Sequence, residues 1–361
     1  QRKAIKLNPD FAMAHCNLGG ILQDLRKLQD AELSTRKAIE LNPDFANAHC
    51  NLGGILKDLG KLQDAENSYR KAIELNPDFA MAHSNLGGIL KDLGRLEEAK
   101  SSTHKAIEIK PDYLVAHLNM GNILKDLGKL KDAEISTRKA IQIKPDFAMA
   151  HLNLGSILED LGKLEEAEIS YSRAISLDPG LTIALMNRWV ILFKRKKFDL
   201  ALIDIDKCNN ETSRGRALET LYALGRTDEI YKRIEENSEI DSKNIKVAAL
   251  SAFISEKEKK DTAHNFCQKP LSFLFFSNIK SHVKEYDQFI KGIIKELNDI
   301  PTIWEPRTTH NGFQSPSTLN VFSKSSKNIS KLKSIIHNEI DSYHLKFKNE
   351  SCSFIQQWPS I

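Results

Sequence analysis

Histidine recurs at positions 15, 49, 83, 117 and 151, always 34 residues apart, and a fixed histidine period raises metal ligation first. The spacing argues against it, because equivalent positions in successive 34-residue units lie too far apart to share an ion whose bonds to nitrogen are about 2.0 Å. The five cysteines contain no Cys-x-x-Cys. Cys16 and Cys50, one position after the first two histidines, read as small, half-exposed residues and not as a disulfide. His310 is a candidate base with no partner in view. His337-Asn338-Glu339 gives His-x-Glu in letters but falls inside an amphipathic helical pattern. No phosphate loop, nucleophile elbow or paired-carboxylate arrangement occurs elsewhere. The residues therefore assign no catalytic, cofactor-binding or metal site in this chain.

Recognition chemistry is better represented. Asn17, Asn51, Asn85, Asn119 and Asn153 keep the same period, and Asn187 extends it. A carboxamide offers a donor and an acceptor, so a column of them can pair with the peptide groups of an extended chain whatever its side chains. Asp24, Asp58, Asp92, Asp126 and Asp160 run parallel, with Lys57, Lys91 and Lys125 adjacent. These charges read either as ligand contacts or as a solvated face with local ion pairing. The asparagines could equally cap or bridge neighbouring helices, or persist through duplication of one unit. Asn17, Asn51, Asn85, Asn119, Asn153 and Asn187, with Asp58, Asp92, Asp126, Lys57, Lys91 and Lys125, form the candidate peptide-binding set.

The elements that position them follow from the period. Asn-Leu-Gly-Gly-Ile-Leu at 17–22 returns at 51–56 and 85–90, then as Asn-Met-Gly-Asn-Ile-Leu at 119 and Asn-Leu-Gly-Ser-Ile-Leu at 153. A 34-residue period marks a solenoid of stacked helical hairpins in which no unit buries its apolar face alone. In residues 12–45, Ala14, Leu18, Ile21, Leu22 and Leu25 recur at helical spacing and read as one buried stripe. Met13, Asn17, Gly20 and Asp24 make a second stripe that would line the inner face, where Gly20, Gly54 and Gly88 leave room for a backbone. Arg26 stands where later units place Gly60, Gly94, Gly128 and Gly162, which suits a left-handed helix C-terminus. The second helix carries Leu28, Ala31, Thr35, Ala38 and Ile39 and ends at Asn42-Pro43-Asp44.

Gly19, Ala31, Ala38 and Pro43, with the period, closely resemble the tetratricopeptide repeat. The resemblance implies an all-α, right-handed superhelical solenoid: a partial unit at 1–11, five full repeats over 12–181, and degenerate repeat-like helices over 182–263. Its histidine position usually holds a bulky residue packed between helices. In the sixth unit Ala184, Asn187, Leu192 and Ala201 keep phase, while Trp189 replaces the glycine and the proline is gone. Past about residue 215 the register is lost, although 217–224, 229–234 and 245–254 read as helices. The asparagine column looks like the ladder in the repeat region of O-linked N-acetylglucosamine transferase, which holds extended protein segments by their main chain.

Residues 1–181 carry 24 Lys+Arg against 26 Asp+Glu, and the remainder 28 against 22, so neither half argues for nucleic acid. No apolar run reaches the roughly 18 residues of a membrane helix. An odd, unspaced cysteine set fits a reducing, cytoplasmic setting. Composition changes near His264. Residues 283–297 and 329–343 read as amphipathic helices flanking loop and short strand at 301–322, and Lys324, Lys327, Lys331 and Lys333 read as a solvated face.

Thr308-Thr309-His310-Asn311-Gly312-Phe313-Gln314, followed by Val321-Phe322 and an Ile/Leu helix ending near Tyr343, is similar to the opening of a 2-oxoglutarate and Fe(II)-dependent oxygenase family that often follows tetratricopeptide repeats in bacteria. The resemblance implies an incomplete α+β domain of double-stranded β-helix type over 264–361. Its iron ligands, a His-x-Asp/Glu pair and a distant His, would fall beyond Trp358-Pro359. The chain therefore reads as beginning inside a hairpin and stopping before the triad. Fe(II) and 2-oxoglutarate are expected of a longer parent and not of these residues. The expectation is a scaffold that binds extended polypeptide on its concave face, from a parent hydroxylase. A pure adaptor, or the repeat region of a glycosyltransferase, is the alternative.

Overall fold

The computed structural model describes residue 5 and residues 8–242, 244–262, 282–298, 303–304, 313–314 and 326–347. The chain divides into two units, Gln1–Asn209 and Asn210–Ile361.

The first unit is a run of antiparallel hairpins. Helices α1 (Ala12–Asp24) and α2 (Leu28–Leu41) form the first hairpin, and α3 (Ala46–Asp58) and α4 (Leu62–Leu75) the second. Then come α5 (Ala80–Asp92) and α6 (Leu96–Ile109), α7 (Leu114–Asp126) and α8 (Leu130–Ile143), and α9 (Ala148–Asp160) and α10 (Leu164–Leu177). The sixth pair, α11 (Thr182–Lys194) and α12 (Phe198–Cys208), completes it.

The turn inside each hairpin is the left-handed one that the glycine positions predict. Arg26 has φ 58°, Gly60, Gly94, Gly128 and Gly162 lie between 73° and 77°, and Lys196 has φ 57°. Around it, Arg26 N–H donates to the Gln23 carbonyl and Lys27 N–H to that of Leu22, both at 2.9 Å, satisfying carbonyls the helix end leaves open. The following loop is closed by its own polar side chains. Asp44 N–H donates to Asn42 Oδ1 at 3.2 Å, and Asn42 is extended, as its position before Pro43 requires.

Close approach of the two helices rests on small residues. Ala31 and Ala38, and their equivalents Ala65, Ala72, Ala99, Ala106, Ala133, Ala140, Ala167 and Ala174, are fully buried. Facing them, a Cβ on Gly19 would stand 2.0 Å from Thr35 Oγ1, and one on Gly53 would stand 2.7 Å from the Tyr69 ring. The signature glycine is therefore a contact residue. One expectation needs correcting at the first hairpin: Ile21 and Leu25 are exposed, not buried. The equivalents of Ile21, namely Ile55, Ile89 and Ile123, are fully buried because each packs on the preceding hairpin, as Ile55 does on Leu22 and Ala31, and those of Leu25 are half-buried.

Carboxylates on the second helices tie each hairpin to the next. Glu32 pairs with Lys61, Glu66 with Arg95, Glu134 with Lys163 and Glu168 with Lys197, at 2.8 to 2.9 Å. The third hairpin departs from this, since Lys100 stands where the glutamate would be and Lys129 turns instead to Glu97 at 3.4 Å. In the sixth hairpin Trp189 fills the glycine position, buried and in tilted ring contact with Phe193 at 5.1 Å between centroids. Beside it Arg188 pairs with the buried Asp204.

In the second unit, α13 (Glu211–Ala223) and α14 (Thr227–Glu236) form another hairpin about Gly225 at φ 72°, and α15 (Ile245–Glu258) packs on α13. The loss of register expected past residue 215 is thus a change of spacing and not of geometry, because Gly225 follows Lys196 by 29 residues instead of 34. Arg214 and Asn244 both bond Asp241, which lies between α13 and α15 in the chain.

Farther on, α16 (Tyr286–Asn298) and α17 (Lys327–Phe347) pack through Val283, Phe289, Ile293 and Ile335. The Glu296 carboxylate accepts the Asn328 and Ile329 N–H groups at the start of α17, at 3.1 and 2.9 Å. Ile303–Trp304 (β1) pairs antiparallel with Phe313–Gln314 (β2), Ile303 opposite Gln314. Two-residue strands and helices do not make a double-stranded β-helix, and none is formed among the described residues. His310, with most of the 264–361 segment, lies outside them. Among the described residues no helix is long and apolar enough to cross a membrane.

Candidate peptide-binding face

Neighbouring first helices α1, α3, α5, α7 and α9 touch one another along the array, more closely than neighbouring second helices do. The first helices therefore form the inner side. Residues four and seven apart share a helical face, so the second stripe of each unit repeats along this side as parallel rows.

The asparagine row is present, and half of its chemistry is spent internally. The Asn51 side-chain amide donates to Cys16 Sγ at 3.2 Å, that of Asn85 to Cys50 Sγ at 4.0 Å, and that of Asn119 to the Ser84 carbonyl and hydroxyl, both at 3.1 Å. Each reaches back one hairpin, so bridging of neighbouring helices accompanies whatever else the row does. Asn187 bonds the Tyr171 hydroxyl, which also donates to Glu159 Oε2 at 3.0 Å. Asn153 has no such bond among the described residues, because Leu118 occupies the position of Cys16, Cys50 and Ser84. Asn17 is exposed and Asn51, Asn85, Asn119, Asn153 and Asn187 are half-buried. The carbonyl oxygens of Asn51, Asn85 and Asn119 have no partner among the described residues, and the amides of Asn51 and Asn85 each keep a second N–H, whereas that of Asn119 serves two acceptors.

The accompanying cysteines are buried, contrary to the half-exposed placement expected of them. The sulfur sits beneath the amide, which shields it. Burial pushes the Cys50 thiol up to about 12 and raises that of Cys16, the amide bonds opposing this in both.

The glycine row offers a graded floor. A Cβ on Gly20 would meet nothing within 4 Å, and those on Gly54 and Gly88 would make only ordinary contacts, nearest to Gln23 Nε2 at 3.4 Å and Asn119 Nδ2 at 3.9 Å. The same position then fills with Asn122, Ser156 and Val190.

The charged row is paired across hairpins. Lys57 meets Asp92 at 3.8 Å, Lys91 meets Asp126 at 3.8 Å and Lys125 meets Asp160 at 3.5 Å, while Asp58 accepts from Gln23 Nε2 at 2.9 Å and lies 3.9 Å from Arg26. Local ion pairing, one of the two readings left open for these residues, is what the geometry displays.

The histidine period has a positive structural use. His15, His49, His83, His117 and His151 donate Nε2–H to the carbonyls of Pro9, Pro43, Pro77, Pro111 and Pro145, at 2.7 to 2.9 Å. Each pins the loop before its own helix. In the second unit, Glu339 is bonded to His282 at 2.7 Å, and His337 is exposed on α17. Residues two apart on a helix diverge, so His337 and Glu339 do not fit two arms of an iron triad. No cluster of three metal-ligating side chains exists among the described residues.

Sequence reasoning missed one row. Met13, Met81, Val115, Met149 and Ile183 are 39 to 58% exposed, one helical turn before the asparagines, with Asn47 the single polar member. Met13 carries the signal in the first unit, and comparing that position across units would have found the rest.

Profiles of the tetratricopeptide repeat match residues 12–45, 46–79, 68–101, 114–147 and 148–181. No curated protein matches the chain by sequence. Among solved structures, PilW, a widely conserved type IV pilus biogenesis factor, is 22% identical with a TM-score of 0.51, the match covering 54% of this chain and 91% of that one. The APC/C hetero-tetramer Cut9-Hcn1 is 15% identical with a TM-score of 0.56, covering 61% of this chain and 45% of its own. YrrB, described as a TPR protein with an unusual peptide-binding site, is 24% identical with a TM-score of 0.40, covering 51% and 95%. At these identities the likeness concerns the fold. Periodicity, turn geometry and profile matches agree that residues 12–101 and 114–181 carry tetratricopeptide repeats, a scaffold-like fold of the protein-interaction class.

Proposed function

We propose that the inner face of the first unit captures an extended polypeptide by its main chain. The observation that carries this reading is the asparagine row. At Asn51 and Asn85 the amide makes one internal bond and keeps its carbonyl oxygen and second N–H for a ligand, at Asn119 the amide serves two internal acceptors and the carbonyl oxygen remains, and at Asn153 the whole carboxamide is available. An acceptor in each hairpin, with a donor beside it at Asn51, Asn85 and Asn153, matches the backbone of an extended chain, whose peptide groups are otherwise solvated. The glycines at 20, 54 and 88 admit that backbone closely. Retention of Asn119 and Asn153 in the more divergent fourth and fifth units supports a function beyond duplication. An iron-dependent hydroxylase, with Fe(II) and 2-oxoglutarate, finds no ligand set among the described residues and stays outside the proposal.

Changing Asn85 and Asn153 together to Ala tests it, because the first makes only a long contact to sulfur and the second no internal bond. Affinity for unstructured peptides should fall by about tenfold or more while helicity by circular dichroism is unchanged. Unaltered affinity would remove the row from the binding device.

A further inference from the structure

The apolar row bears on which polypeptide the face accepts. Met81, Val115, Met149 and Ile183 stand in four consecutive hairpins, each four residues before Asn85, Asn119, Asn153 and Asn187. Residues four apart on a helix have Cβ atoms about 5–6 Å apart, so the apolar row lies one side-chain width from the amides. On the opposite flank, Lys57, Lys91 and Lys125 are matched by Asp92, Asp126 and Asp160 at 3.5 to 3.8 Å. The charges nearest the groove cancel in place, and a charged ligand would have to break pairs already made. Charge complementarity thus favours an uncharged segment, and the exposed aliphatic row favours apolar side chains on one of its edges.

The pitch restricts the conformation. Helices in contact lie about 8–10 Å apart, so the apolar residues recur at about that interval. A β-strand advances about 3.3 Å per residue and alternates faces, so its third residue arrives at the right distance on the wrong side. A polyproline II helix rises about 3.1 Å per residue with three residues per turn, so every third side chain returns to one face after about 9 Å. It also makes no internal hydrogen bonds, which leaves its peptide groups for the asparagines.

We infer that the face formed by the third to sixth hairpins selects an uncharged segment in polyproline II form carrying an aliphatic side chain at every third residue. This rests on main-chain capture by the asparagine row and adds the side-chain class and spacing.

The test uses the full chain and three synthetic peptides of roughly a dozen residues, about three per hairpin over four hairpins. One carries Leu at every third position in a Pro/Gln/Ser background, one has the same composition with the same number of Leu at alternating positions in its central part, and one replaces each Leu by Glu. The first should bind about tenfold tighter than the second by fluorescence anisotropy, and the third should bind weakest. Val115→Ser with Met149→Ser, both at exposed positions, should abolish the preference between the first two peptides, and Val115→Leu with Met149→Leu should keep it. Equal affinity for both Leu spacings, with Asn85 and Asn153 still required, would overturn the spacing and leave main-chain capture standing. Binding that ignores Asn85 and Asn153 would overturn both.

Discussion

Asn119 reaches back one hairpin and donates its side-chain amide to both the carbonyl and the hydroxyl oxygen of Ser84, each at 3.1 Å. Asn153, at the same position one hairpin later, has Leu118 beneath it and makes no such bond among the described residues. One residue type thus holds two different structural duties at equivalent positions.

Stability should separate those duties. Asn119→Ala removes bonds from half-buried groups and should cost about 1–2 kcal/mol, whereas Asn153→Ala should change stability by less than about 0.5 kcal/mol. Urea unfolding followed by circular dichroism measures both. Equal losses would mean that the inter-hairpin bond at Asn119 contributes nothing.

Arg26 occupies a left-handed turn position that glycine fills in the next four hairpins. A side chain there costs about 1–2 kcal/mol, while glycine's extra unfolded-state freedom takes back about 0.5–1 kcal/mol. Arg26→Gly should therefore stabilise by roughly 0.5–1 kcal/mol, and Gly94→Ala should destabilise by a similar amount, both read from thermal midpoints. The Arg26–Asp58 pair at 3.9 Å is too exposed to reverse the sign. A lower midpoint for Arg26→Gly would contradict the account.

Acid should loosen the inter-hairpin ties. Burial alone would raise the Glu66 carboxyl, but hydrogen bonds from Arg70, Arg95 and Gln63 outweigh it and hold it below the ordinary glutamate range. The hydrogen bond from Lys61 lowers Glu32, and Glu134 and Glu168 are also held low by their cationic partners against burial. A carboxyl depressed on folding contributes fully above its unfolded value, about 4.3, and loses that contribution as pH falls through the folded value. The thermal midpoint should be nearly flat from about pH 7 to 5 and fall below about pH 4. In Glu66→Gln the fall should be shallower, and an equally steep one would assign the acid transition elsewhere.

The hairpins were legible because their causes are local and repeated. Pro43, the glycine at position 60 and the buried alanines each dictate one geometric step, and five copies make coincidence untenable. The pairing of Lys57 with Asp92 was not legible, because it depends on how far one hairpin is translated from the next, which no single unit encodes. The burial of Cys16 and Cys50 escaped for the same reason, since the covering amide belongs to the following hairpin. Gly225 shows the limit of counting: the turn persists while the spacing shortens.

The floor of the asparagine groove is open at Gly20, Gly54 and Gly88 and fills with Asn122, Ser156 and Val190 farther along. The graded floor gives the array two unlike ends, so a ligand of uniform sequence would approach the backbone over the first hairpins and meet side chains over the later ones.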